Sequence, residues 1–149
     1  MKEHKFELTG LLLNHTEPIK PTIEVHKIGL KIPVGDGSPV TMNVGNNVTA
    51  ASNTTITIRC PVSGVPPPSI TWHRDGVQIF EQDSITFIAD NNSIVIKGGM
   101  LVDTAKYTCR VQNVFGVDEL SSQVTIIGNL IIHLISSSAQ NRICGFSRP

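Results

Sequence analysis

Residues 103–109 read DTAKYTC and continue as RVQN through 113. Tyr107, Cys109 and Val111 alternate with Thr108, Arg110 and Gln112. This period of two sets one side of a β-strand toward an apolar interior and the other toward water. Cys109 is one of only three cysteines in 149 residues, and three chemistries are open to it: metal ligand, nucleophile, or one end of a covalent staple.

The first two find little support. Structural zinc takes four Cys or His ligands at close paired spacing. Cys60 and Cys109 each lack a second Cys or His within five residues, and His4, His15, His26, His73 and His133 form no pair on one face. No metal or other cofactor is expected. Nucleophilic catalysis needs a thiolate or hydroxyl beside a base. Cys109 shares its face with Tyr107 and Val111, and apolar burial raises a thiol pKa and makes the group inert. No G-x-S-x-G elbow occurs, and GDG at 35–37 and GG at 98–99 lack the spacing of a phosphate loop. No catalytic residue is assigned, and the chain is not expected to be an enzyme.

Composition bounds the rest. With 40% hydrophobic, 5% aromatic and 16% charged residues, the core is aliphatic, and hydroxyl residues replace much of the usual charge. Thr, Val and Ile suit a pleated, half-buried surface, so the fold class is all-β. Twelve basic and twelve acidic residues cancel without forming a stripe, which argues against a nucleic-acid partner. The longest apolar run, IIGNLIIHLI at 126–135, is too short for a membrane span and is broken by Asn129 and His133. The start, MKEHKFELTGLLLNHT, has too little apolar length for a secretory signal. An exported form is therefore expected to begin upstream, or the chain to be a fragment.

Residues 1–37 alternate only in part, and Pro18, Pro21 and Pro33 interrupt them, so they read as a linker or leading edge segment. Residues 38–128 read as the domain. Within it Ile56, Ile58 and Cys60 share a face, and PVSGVPPP at 61–68 cannot run through the middle of a sheet. Ile70 and Trp72 share the next face, followed by an Arg74-Asp75-Gly76 turn. Ser84–Ile88 and Ser93–Ile96 flank a turn at ADNN, GGMLVDTAK at 98–106 reads as a corner, and Leu120, Ser122, Val124 and Ile126 close the series. Short strands at this spacing, without a helical period between them, suggest a sandwich or barrel. Residues 129–149 lose the pattern and read as a tail or the start of a truncated neighbouring unit. Cys144 in that tail is left without a partner.

The constellation Cys60…Trp72…Asp103-x-Ala105-x-Tyr107-x-Cys109 resembles the immunoglobulin fold. Asn113-Val114-Phe115-Gly116 resembles the N-x-x-G turn of its I-set subtype, and PVSGVPPPSITWHRDG resembles the segment leading into strand C of such repeats. Ala105 stands where glycine is commoner. The likeness covers residues 39–127, and the phrasing around Cys60–Gly76 is similar to repeats of papilin, ADAMTS-like and hemicentin matrix proteins.

The resemblance implies a Greek-key sandwich of two antiparallel sheets. It also implies a Cys60–Cys109 disulfide covered by Trp72, a tyrosine corner at Tyr107, and an Asp103 paired with a basic residue on a neighbouring strand. Closing a loop of that length is worth about 4 kcal/mol in the chain-entropy model.

A disulfide implies an oxidising compartment. Four N-glycosylation triplets, at Asn14, Asn47, Asn53 and Asn91, fit an extracellular or cell-surface location. Outward positions on strands C, F and G (His73, Arg110, Gln112, Glu119 and Gln123) form the candidate face for a protein partner. Phe80 and Phe115 are expected to lie against the sandwich edge, with exposed anchor positions as the alternative. The function expected is a non-catalytic interaction module of an adhesion, receptor or extracellular-matrix protein with neighbouring domains. The alternatives are an intracellular titin-type filament repeat with both cysteines reduced, or an accessory regulatory domain of a protease-related matrix protein.

Overall fold

The computed structural model describes residues 17–26 and 38–128. The strands in chain order are β1 (Ile19–Ile23), β2 (Val40–Asn43), β3 (Val48–Ala51), β4 (Ile56–Arg59), β5 (Val62–Val65), β6 (Ser69–Arg74), β7 (Val77–Gln78), β8 (Ile85–Ile88), β9 (Ser93–Ile96), β10 (Ala105–Asn113) and β11 (Gly116–Ile127). A single 3-10 turn, Leu101–Asp103, lies at the expected corner.

Two sheets face each other. One is five-stranded in the order β3-β11-β10-β6-β7, the other four-stranded in the order β2-β4-β9-β8, and β1 pairs with β5 in a two-stranded ribbon. The alternation read from the sequence fills the space between them. Ile56, Ile58, Ile85, Ile94 and Ile96 come from one sheet, and Trp72, Tyr107, Val111 and Val124 from the other. Cys109 of β10 is joined to Cys60, just past β4, with Cα atoms 6.4 Å apart, so the bridge crosses from sheet to sheet. Trp72 stands opposite Cys109 in the β10–β6 register, and its indole is fully buried. Asp75 and Gly76, both at positive φ, make the two-residue turn between β6 and β7.

Ile19–Ile23, within the 1–37 stretch read as a linker or leading edge segment, is a strand antiparallel to β5. Ile23 is 3% exposed and joins the core, its amide donating to Asp118 Oδ2 at 2.9 Å. Of the two readings, the edge segment fits this strand. The register slips between Ile19 and Thr22, a bulge that absorbs Pro21 where no ladder donor is needed. Gly64 on β5 permits the approach, since a Cβ there would stand 3.1 Å from the Pro21 Cα. The sheets are also not purely antiparallel: β2 runs parallel to β4, and β3 parallel to β11. Between β2 and β3, Gly45 has φ +92, and a Cβ there would meet Leu120 at 2.9 Å. Asn46, buried in the same turn, donates from Nδ2 to the carbonyls of His26 and Asn43, tying the end of the first described segment to the start of the second.

Ile23→Ala is expected to cost about 2–4 kcal/mol in urea unfolding. Ile19→Ala, on the same strand but 52% exposed, should stay within about 0.5 kcal/mol. Equal, negligible effects at both positions would mean that β1 is not part of the cooperative unit.

Candidate interaction surface

Because Cys109 and Val111 point inward, the residues between them line the outer face of the five-stranded sheet. The ladders align Thr71, Arg110 and Glu119 in one row across β6, β10 and β11, and His73, Thr108 and Ser121 in the next. A shallow concavity of about 250 Å3 opens there, lined by His73, Gly76, Lys106, Thr108, Arg110, Glu119 and Ser121. Thr108 and Ser121 share a hydrogen bond of 2.7 Å on its floor. Lys106 and Arg110 set two fixed positive charges against the carboxylate of Glu119.

Three of the five residues expected on this face, His73, Arg110 and Glu119, meet at the concavity. Gln112 and Gln123 lie on the same face but toward opposite ends, opposite Val117 and Lys106 respectively. Gln123 also turns inward on itself, its Nε2 donating to the Val124 carbonyl at 3.2 Å. Lys106, Thr108 and Ser121 were missed by sequence reasoning, although the alternation that turned Arg110 outward applies equally to Lys106 and Thr108.

Beneath one end of the sheet, the corner is held by charge. Asp103 is 4% exposed, and a carboxylate at that depth needs partners. Its Oδ1 lies 3.7 Å from Arg74 Nη1, and its Oδ2 accepts from the Met100 amide at 2.8 Å. The second Arg74 nitrogen donates to the Val102 carbonyl. Tyr107 donates its hydroxyl to the Asp103 carbonyl at 3.0 Å, and the Arg74 guanidinium sits 6.0 Å from the ring centroid. Burial pushes the Tyr107 phenol up from 10 to about 12, against the opposing pull of Arg74.

Of the four glycosylation triplets, Asn14 lies outside the described residues. Asn47, Asn53 and Asn91 are all exposed. Asn47 Oδ1 accepts from the Gln123 amide at 2.9 Å. Asn53 and Asn91 hold left-handed turn positions at φ 69 and 65, a conformation asparagine tolerates. Cys144 and the apolar tail also lie outside the described residues. Phe80 and Phe115 do not settle against the sandwich edge as expected: they are 67% and 45% exposed. Phe80 comes just after β7 ends at Gln78, and Phe115 occupies the β10–β11 turn, so neither has a ladder to press it onto the core.

Comparison with known proteins agrees with this geometry. The model of the immunoglobulin I-set domain matches residues 39–126. Human hemicentin-1 is 34% identical over 74 residues, covering 50% of this chain and 1% of hemicentin-1. Human ADAMTS-like protein 1 is 32% identical over 114 residues, covering 76% of this chain and 6% of that protein. The chain therefore spans only a small part of these relatives. Among solved structures, the complex of titin M10 with the obscurin-like 1 Ig domain superposes with a TM-score of 0.57 at 20% identity. That match covers 74% of this chain and 96% of the other, a likeness of fold.

The corner yields a titration. Folded Tyr107, near 12, lies above the ordinary 10 of the unfolded chain, so the folded state holds the phenolic proton more tightly between those values. That contribution is whole below pH 10 and is lost as pH rises through 12. Tyr107 is the chain's single tyrosine, so phenolate absorbance reports on it alone. The native midpoint should lie near 12 and fall to about 10 in denaturant. Tyr107→Phe should remove this step and cost about 1–2 kcal/mol at neutral pH, because the Asp103 carbonyl loses its donor. A native midpoint at the ordinary value would refute the buried, bonded phenol.

Proposed function

Because this chain belongs to the immunoglobulin I-set family, we propose that it is a non-catalytic, extracellular protein-interaction module within a longer matrix, adhesion or receptor protein. The partner is a protein, and it docks on the outer face of the five-stranded sheet. The observation that carries this reading is the concavity where Lys106, Arg110, Glu119 and His73 converge on a surface otherwise built of short hydroxyl side chains. Such a surface offers charge to orient a partner.

Several features support an oxidising, extracellular setting. Cys60 and Cys109 are bridged, and the three described triplet asparagines all face solvent. No helix among the described residues is long and apolar enough to cross a membrane. Neighbouring domains on either side of residues 38–128 complete the proposal, since the relatives are far longer than the matched stretch.

Two measurements test it. Non-reducing peptide mapping of the chain from its native source should find Cys60 linked to Cys109 and sugar on Asn47 or Asn53. Free thiols at both cysteines would move the assignment to an intracellular filament repeat. In the second, labelled protein is applied to cell-deposited matrix. Lys106→Glu with Arg110→Glu should lower retention at least about tenfold, as expected for loss of two interfacial charges. Arg59→Glu, on the opposite sheet, should leave retention unchanged. Equal effects from both faces would remove the five-stranded sheet as the docking surface.

A further inference from the structure

A second depression, also about 250 Å3, lies between β6, the segment after β7, and β8, walled by Ile70, Ile79, Phe80 and Phe87. It differs from the charged concavity in being lined mostly by apolar side chains, with Thr71, Gln78 and Glu81 completing the wall, and Phe80 is 67% exposed. Asn91 stands on its rim. Asn91, Asn92 and Ser93 form a glycosylation triplet, and the turn that carries it is unusual. Ala89, Asp90 and Asn91 all have positive φ, at 52, 53 and 65. Successive left-handed, non-glycine residues are costly and persist only where the surroundings hold them. The hold here is specific: the buried Trp72 indole donates to the Asn91 carbonyl at 2.8 Å, and the Asn92 amide donates to the Ala89 carbonyl at 3.0 Å. The backbone of the acceptor asparagine is thereby fixed at the depression whose lining includes Phe80.

We propose that the sugar linked to Asn91 folds back into this groove, its first N-acetylglucosamine lying on the ring of Phe80. The inference rests on the extracellular reading above. A pyranose presents a face of C–H bonds that suits an aromatic ring, and covalent tethering at the rim removes most of the entropic cost of placing it there. In the attachment step the Asn91 Nδ2 attacks the anomeric carbon of a lipid-linked oligosaccharide and displaces its lipid diphosphate. The N–C bond forms, the C–O bond to phosphate breaks, and one amide proton leaves with the lipid diphosphate. Ser93 is buried in the folded domain, so transfer must precede the closing of β9 onto β4. The groove is then filled after folding by a group the chain already carries.

The test is a four-member cycle on the full chain, made in eukaryotic secretory cells behind a cleavable leader: the parent, Asn91→Gln, Phe80→Ser and the double variant. Peptide mapping should find Asn91 occupied. Loss of the Asn91 sugar should lower Tm by about 4 °C in the parent and by less than about 1 °C beside Ser at position 80. Enzymatic trimming to a single N-acetylglucosamine should preserve the full shift. Asn53→Gln, at a residue that does not line this depression, should show no coupling to Phe80. An unoccupied Asn91, or an occupied one whose loss shifts Tm equally in both backgrounds, overturns the groove assignment. The extracellular reading survives either result as long as native material shows the disulfide and sugar on Asn47 or Asn53. Reduced cysteines and bare asparagines in native material would end both. If Phe80→Ser weakens matrix retention without coupling to Asn91, the groove belongs to a protein partner and the sugar proposal fails.

Discussion

The bridge from Cys60 to Cys109 is the constraint on which the other features depend. It is the covalent tie between the two sheets among the described residues, and it lies beside Trp72 in the register of β6 and β10. Its consequence reaches the surface. Once Cys109 points inward, the pleat sends Thr108 and Arg110 outward, and the antiparallel ladder brings Ser121 and Glu119 beside them. The outer face is thus a by-product of the same alternation that buries the sulfur. A slip of one residue would carry Arg110 into the core and the cysteine into water.

The corner below the sheet solves a different problem. The chain must pass from β9 in one sheet to β10 in the other, and the 3-10 turn at Leu101–Asp103 leaves carbonyls and a carboxylate near the core. Arg74 and Tyr107 together satisfy them: the guanidinium serves the Asp103 carboxylate and the Val102 carbonyl, and the phenol serves the Asp103 carbonyl. Both partners come from the five-stranded sheet, so the corner locks the turn to the strands whose outer side forms the candidate surface. The raised phenol pKa is the electrostatic trace of that burial.

The entry of the chain into the sandwich is where the fold is least regular. β1 lies on β5, while β2 and β3 run parallel to their partners on opposite sheets. The 2-residue β7 is the outer strand of the five-stranded sheet, and the chain after it leaves Phe80 in water. Short or bulged edge strands limit unwanted strand pairing. They also leave side chains without a ladder to direct them, so a mostly apolar depression and the Asn91 triplet lie together at this side of the domain.

Much of this was legible in the residues themselves. Alternation around Ile56–Cys60, Ile70–Trp72 and Tyr107–Val111 is a local property of the pleat, so it determined the strands, their inward faces and the outward placement of His73, Arg110 and Glu119. Composition and strand spacing narrowed the fold to an all-β sandwich or barrel, and the immunoglobulin resemblance carried by Cys60, Trp72, Asp103, Tyr107 and Cys109 implied the sandwich. What periodicity could not reach was pairing. Whether Pro21 breaks a strand or sits in a bulge depends on Gly64, more than forty residues away, and whether Phe80 is covered depends on where the chain travels after β7. That Lys106 and Glu119 line one concavity, and Asn91 and Phe80 one depression, is set by strand order across the sheets. Only the folded chain brings those residues to a common surface.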